Sequence, residues 1–209
     1  MKFLTDNTYS LFEELAEKSL LSDFTFVGGS AIGYYLGHRL SEDLDFFTWH
    51  EKLPVETQSF IDALAKTKNI VIANRTQTYM DLLINDIKVT LFANDWDALK
   101  KDRSNITGTI FVANLPLLCA MKMNTLSLRA KYRDYYDLYV LNKEKYSIRE
   151  MLNFSMDYIP GMTKKIFGMQ LTYTEDINDE SIDHLSPKYT VTLENIKNHF
   201  EKEVYKLIT

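Results

Sequence analysis

A short apolar run, Phe24 to Val27, ends in Gly28-Gly29-Ser30, and after twelve intervening residues the chain reaches Asp43-Leu44-Asp45. Phe24–Val27 predicts a strand entering a tight turn. Ser30–Leu40 has helical spacing behind an N-cap candidate, and Leu44–Thr48 alternates acid and apolar as a half-buried strand does. Acids at i and i+2 of a strand face the same side, with Leu44 and Phe46 turned into the core. Such a pair repels itself unless a cation lies between the carboxylates, an arrangement suited to hard divalent metals. The glycine turn presents bare N–H groups and a hydroxyl at a helix N-terminus, a ready anion site. Singly, a Gly-Gly before a helix is usually a turn and a D-x-D usually solvated; in this order they imply a metal-bound polyphosphate site.

The rest of the chain supplies a frame for that phrase. Residues 8–20 predict an amphipathic helix, with Leu11, Phe12, Leu15 and Leu20 near one face. Leu53–Lys66 predicts a second surface helix that opens with Pro54. Arg75–Ile84 and Ile87–Phe92 flank Asn85-Asp86 and read as a β-hairpin. Asp95–Asp102 is a short helix or polar loop, and Thr107–Val112 another strand. From Asn114 to Ile208 the pattern is mostly helical, interrupted at Ile159-Pro160-Gly161, Thr172–Asp183 and Ser186-Pro187. The expected architecture is an α/β domain over residues 1–113, a mixed sheet with flanking helices, followed by a C-terminal helical domain over 114–209.

With 45% hydrophobic residues a 209-residue chain can bury a core without staples. One cysteine, Cys119, excludes a disulfide framework and suits a reducing compartment. The start lacks the apolar core of a signal peptide and no stretch is long enough to span a membrane, so a soluble, cytoplasmic protein is expected. The net charge of −5 argues against a general nucleic-acid coat. However, Arg103 to Arg133 contains no acid and five cations: Arg103, Lys122, Arg129, Lys131 and Arg133. Taking those five from the 24 basic residues leaves 19 against 29 acids elsewhere. Such a segment either marks an anion site or is simply buried. On one unbroken helix Lys122, Arg129, Arg133 and Asp137 would share an arc of about 80°; a break near 127–131 would put Lys122 and the Arg133–Asp137 group on successive helices.

The order of strand, Gly-Gly-Ser, helix and paired acids resembles the nucleotidyltransferase fold of the DNA polymerase beta superfamily. The phrases Gly37-His38-Arg39-x-Ser41-x-Asp43-Leu44-Asp45, Leu117-Leu118-Cys119-Ala120-Met121-Lys122 and Arg129-x-Lys131-x-Arg133-Asp134-x-x-Asp137-Leu138 narrow the likeness to the AbiEii/AbiGii-type nucleotidyltransferase toxins. The resemblance implies the toxin half of a toxin–antitoxin or phage-defence pair, using an NTP and Mg²⁺ or Mn²⁺ to modify an RNA acceptor, the tRNA 3′ end in better understood relatives. It also implies a cognate antitoxin as partner and no membrane. Gly29 and Ser30 would hold the triphosphate, Asp43 and Asp45 the metals, and Lys122 the phosphates, with Arg129 and Arg133 beside them. Asp134 and Asp137 would complete the helical-domain side of a cleft between the domains.

One departure bears on activity. The superfamily carries a third carboxylate in a phrase like K-V-D-h-h, whereas here Lys88-Val89-Thr90-Leu91-Phe92 has Thr90 in its place. A hydroxyl brings no charge to offset a divalent cation, which implies a weakened or inactive enzyme. Alternatively, a two-residue Asn85-Asp86 turn pairs Asp81 with Thr90 on one face, so Asp81 could supply the metal ligand from the neighbouring strand; a one-residue slip would defeat this. Two rival functions remain: a non-catalytic nucleotide-binding module and an aminoglycoside-type small-molecule nucleotidyltransferase. Elsewhere Cys119 and Tyr132, Tyr135, Tyr136 and Tyr139 read as core fillers by default, although the tyrosines could also stack on a base.

Overall fold

The structure, a computed structural model, describes residues 2–177 and 181–208. The chain divides into two compact units, residues 1–114 and 115–209.

The first unit is built on a seven-stranded mixed sheet. In chain order its elements are α1 (Asp6–Leu15), β1 (Thr25–Val27), α2 (Gly28–Leu36), β2 (Leu44–Thr48), α3 (Thr57–Leu64), β3 (Ile70–Arg75), β4 (Tyr79–Ile84), β5 (Ile87–Ala93), α4 (Ala98–Lys101), β6 (Arg103–Thr107) and β7 (Ile110–Ala113). The strand order is β3-β4-β5-β2-β1-β7-β6, with β1–β7 and β2–β5 parallel and the remaining pairs antiparallel.

Period-two alternation divides the sheet into two unlike faces. Phe26, Leu44, Phe46, Met80, Leu82, Ile84, Val89 and Leu91 are all buried. Part of this face is covered by a chain of rings, with centroids 5.8 Å apart for Phe3–Phe12, 5.1 Å for Phe12–Phe26 and 5.4 Å for Phe26–Phe46. The opposite face carries Asp45, Thr90 and Asp81 in one cross-strand row, and most of its residues on β2 and β4 are only half-buried. The hairpin register is the one a two-residue turn dictates: Asn85 and Asp86 both have positive φ (49° and 67°), and Asp81 lies opposite Thr90.

Several boundaries differ from expectation. The first helix stops at Leu15, and residues 19–23 form a 3₁₀ turn instead of a continuation. Helix α2 begins at Gly28 and ends at Leu36, because Gly37 takes a left-handed conformation (φ 54°) and caps it. Two strands were not foreseen. Residues 70–75 and 103–107 form β3 and β6, the two edges of the sheet, and both are largely exposed. An edge strand exposed on both faces has no apolar alternation to betray it.

The second unit is helical: α5 (Leu115–Arg129), α6 (Tyr132–Glu144), α7 (Ile148–Tyr158), α8 (Lys164–Thr172) and α9 (Leu193–Ile208). Helices α7 and α8 are separated at Pro160-Gly161, as expected, and α7 is capped by Ser147 and Glu150 acting reciprocally. Part of the expected 172–183 interruption, residues 178–180, lies outside the described residues. Tyr132, Tyr135, Tyr136 and Tyr139 are all buried, as core fillers are. Three of the hydroxyls find backbone partners, Tyr132 donating to the Val191 carbonyl, Tyr135 to the Gln170 carbonyl at 3.0 Å, and Tyr136 accepting from the Tyr189 N–H at 3.1 Å, while Tyr139 accepts from Lys143 Nζ. Cys119 is fully buried and burial pushes its thiol up to about 12, so it is a core residue and not a nucleophile. No helix among the described residues is long and apolar enough to cross a membrane.

Candidate active site

The glycine turn and the acid pair meet because β1 and β2 are antiparallel neighbours, with Val27 opposite Asp45. Strand β1 runs directly into α2, so that helix's first turn, whose N–H groups have no partner within the helix, begins beside Asp45. Gly28 makes this possible. Its φ is +75°, which disfavours any side chain, and a β-carbon built on it would collide with Asp45 Oδ2. The space a Cβ would fill is thus occupied by a carboxylate. The sequence reading placed the role on Gly29 and Ser30; Gly29 lies in the first turn of α2, but Gly28 makes the close approach. Its place at the strand end was the available signal.

Ser30 does not face outward as expected. The residue is 1% exposed, and its hydroxyl donates to the backbone carbonyl of Asp43 and lies 2.7 Å from the Ser41 hydroxyl. Ser30 therefore fixes the segment that carries Asp43, one residue before β2. Asp43 and Asp45 themselves are half-buried, on either side of the fully buried Leu44.

Across β2 and β5, Asp45 is the register partner of Thr90, and across β5 and β4 Thr90 is the partner of Asp81. Asp81 thus shares the face of Asp45, as the hairpin register required. Its carboxylate, however, is engaged within the sheet. Oδ1 accepts from the Thr90 hydroxyl at 2.8 Å, and Oδ2 accepts from Tyr79 at 2.7 Å and lies 3.2 Å from Lys88 Nζ. Burial pushes this carboxyl's pKa up, but hydrogen bonds from Tyr79, Thr90 and Lys88, with the Lys88 charge, outweigh it and hold the group below the usual carboxylate range. Among the described residues no three of His, Cys, Asp and Glu are grouped closely enough to hold a metal ion. Asp81, expected as a third ligand beside Asp43 and Asp45, thus has both oxygens held by Tyr79, Thr90 and Lys88, and sequence reasoning had singled out neither Tyr79 nor Lys88.

The second unit gathers the remaining expected residues differently. Helix α5 ends at Arg129 and α6 begins at Tyr132, with Lys131 extended between them (φ −130°, ψ 160°). The single cationic stripe therefore does not exist, and the two-helix alternative holds. The cause is local: the Asp134 carboxylate accepts the Lys131 N–H at 3.1 Å and caps the new helix. Lys122 on α5 is enclosed, 8% exposed, with Nζ 2.8 Å from Asp134 Oδ1 and 3.0 Å from Asp137 Oδ2. Asp134, Asp137 and Lys122 are thus brought together, and the lysine expected to meet phosphate is already balanced by two carboxylates. Arg129 is exposed and Arg133 half-buried.

Known proteins resemble this chain in sequence and in fold. The sequence model of the nucleotidyl transferase AbiEii toxin family, of type IV toxin–antitoxin systems, matches residues 10–204. An uncharacterized protein of Aquifex aeolicus is 24% identical over 205 residues, which cover 98% of this chain and 97% of that one. Among solved structures, a putative nucleotidyltransferase from Helicobacter pylori superposes with a TM-score of 0.56 at 18% identity, covering 98% of this chain and 99% of that chain. MenT4, a nucleotidyltransferase toxin from Mycobacterium tuberculosis, gives a TM-score of 0.55 at 14% identity, covering 98% and 86%. The fold is that of a nucleotidyltransferase.

Proposed function

The chain belongs to the AbiEii nucleotidyl transferase toxin family, and from that premise we propose that it transfers a nucleoside monophosphate from an NTP to an acceptor hydroxyl, releasing pyrophosphate. The observation that carries the reading is the Asp45 carboxylate filling the space left open at Gly28, beside the first turn of α2. A carboxylate beside the first-turn N–H groups of a helix suits a triphosphate with its counter-cation.

The residues present fit a divalent cation. Asp43 and Asp45 offer hard oxygen donors from two positions. Mg²⁺ is commonly held by one or two carboxylates together with substrate phosphates, without a full protein cage. Such a cation, when bound, lowers the pKa of an acceptor hydroxyl and offsets phosphate charge. The chain's own contribution is placement. Gly28 keeps the approach to Asp45 clear, the first-turn N–H groups of α2 donate to terminal phosphate oxygens, and Ser30 holds the Asp43 segment through its carbonyl.

RNA is the proposed acceptor class and the tRNA 3′ end the specific acceptor, a reading supported by the family resemblance and by the exposed Arg129 and Lys131. A cognate antitoxin is the proposed restraining partner. Incubation with each labelled NTP and total cellular RNA tests the reaction, with Asp43→Ala and Asp45→Ala as controls. Transfer by the wild type and its loss in both variants is the expected result. Transfer that survives either change would overturn the mechanism, and Mg²⁺–NTP binding without turnover on any RNA would favour a binding module.

A further inference from the structure

Thr90 stands between two acids in one row of the sheet, with Asp45 as register partner on β2 and Asp81 on β4. Neighbouring strands are about 4.8 Å apart, so Thr90 is the side chain next to Asp45 on their shared face. A hydroxyl has one proton and two lone pairs. The Thr90 proton is committed to Asp81 Oδ1 at 2.8 Å, which leaves Thr90 able only to accept from whatever lies on the Asp45 side. A hydroxyl that donates to a carboxylate is polarised into a better acceptor. Tyr79 and Lys88 fix the other oxygen of Asp81 and so set the direction of the whole arrangement.

We propose that Asp81 is a positioning residue for a divalent cation held by Asp43 and Asp45, acting through Thr90, whose hydroxyl accepts a hydrogen bond from water on that cation. The proposal rests on the metal site put forward above. A cation bound by few carboxylates keeps several waters, and each needs an acceptor. The Asp81–Thr90 pair supplies one, with a negative charge behind it. In this way the acid sits one strand further from the cation than a direct ligand, joined to the site by a hydroxyl. A purely structural role, a polar clasp between β4 and β5, predicts no effect on metal affinity.

The test is a Mn²⁺ titration of the full chain, without nucleotide, followed by the electron paramagnetic resonance signal of the free aqua ion. Asp81→Asn keeps the shape and removes the charge; Thr90→Val removes the hydroxyl and leaves Asp81 with Tyr79 and Lys88. Each is expected to weaken Mn²⁺ binding by about tenfold, the lower range for outer-shell changes at metal sites. The double variant should lose no more than the worse single, because the two act as one unit. A carboxylate placed directly in the row, D81N/T90D, should restore affinity. Wild-type affinity in either single variant, additive losses, or failure of D81N/T90D to restore binding overturns the proposal while leaving the Asp43–Asp45 site standing. If the wild type binds no Mn²⁺, or Asp45→Ala binds as well as the wild type, the metal site itself fails and the proposal with it.

Discussion

The Asp45 carboxylate lies where a β-carbon on Gly28 would have to be. One residue gives up its side chain so that the other's can stand against the end of β1 and the start of α2. Antiparallel pairing fixes the contact, because Val27 and Asp45 are register partners.

Gly28→Ala is therefore expected to damage both stability and activity. The new methyl is placed in a left-handed backbone conformation, which alone costs roughly 1–2 kcal/mol, and it displaces Asp45. Gly33→Ala is the contrast: its Cβ would meet its nearest neighbours at 3.5 Å, an ordinary contact. Inside α2, alanine should be tolerated or raise stability by up to about 1 kcal/mol. Thermal melting of the two variants, with NMP transfer as a second readout, distinguishes them.

Ser30→Ala should separate positioning from chemistry. It removes a buried hydroxyl that holds the Asp43 carbonyl, at a cost of about 1 kcal/mol or more in stability. Transfer should fall, but less than in Asp43→Ala, since the acid itself remains. Equal losses in the two variants would place Ser30 on the substrate instead.

Lys122→Met is expected to destabilise the helical unit strongly, by about 3–5 kcal/mol, because Asp134 and Asp137 would be left buried without their cation. Adding D134N and D137N to that variant should recover part of the loss. Chemical denaturation of the three proteins measures this, and a Lys122→Met protein as stable as the wild type would contradict the ion cluster's structural weight.

Stability should also fall as the pH drops below about 6.5. Burial depresses the pKa of His199, whose Nε2 lies 2.6 Å from Asn142 Oδ1; Glu203 opposes the shift, and Lys143, Lys206 and Lys202 add to it. A histidine with a depressed folded-state pKa contributes stability above its unfolded value, which is lost as pH falls through the folded one. His199→Gln should flatten that part of the profile. Denaturant midpoints between pH 7.5 and 5 are the measurement, and parallel profiles for the two proteins would remove His199 as the cause.

Much of the first unit was legible from local chemistry. The run into Gly28-Gly29, the alternation of Leu44–Thr48 and the two-residue turn at Asn85-Asp86 each act over a few residues. A two-residue turn with positive φ at both positions leaves a single register, which is why the pairing of Asp81 with Thr90 followed from the sequence. The edge strands β3 and β6 were invisible for the opposite reason: both are largely exposed, and backbone pairing with β4 and β7, not an apolar face, makes them strands.

The sequence by itself determined which residue types could carry the chemistry and which strand face they share. Only the tertiary structure decided what each polar group is bound to. Ser30 turned inward to a carbonyl, Asp81 was held by Thr90, Tyr79 and Lys88, and Lys122 was enclosed by Asp134 and Asp137. Periodicity fixes direction along one element, whereas a hydrogen bond or ion pair needs a second element at a defined distance. For Thr90, the sequence showed an absent acid; the sheet places a neighbouring acid within reach of its hydroxyl.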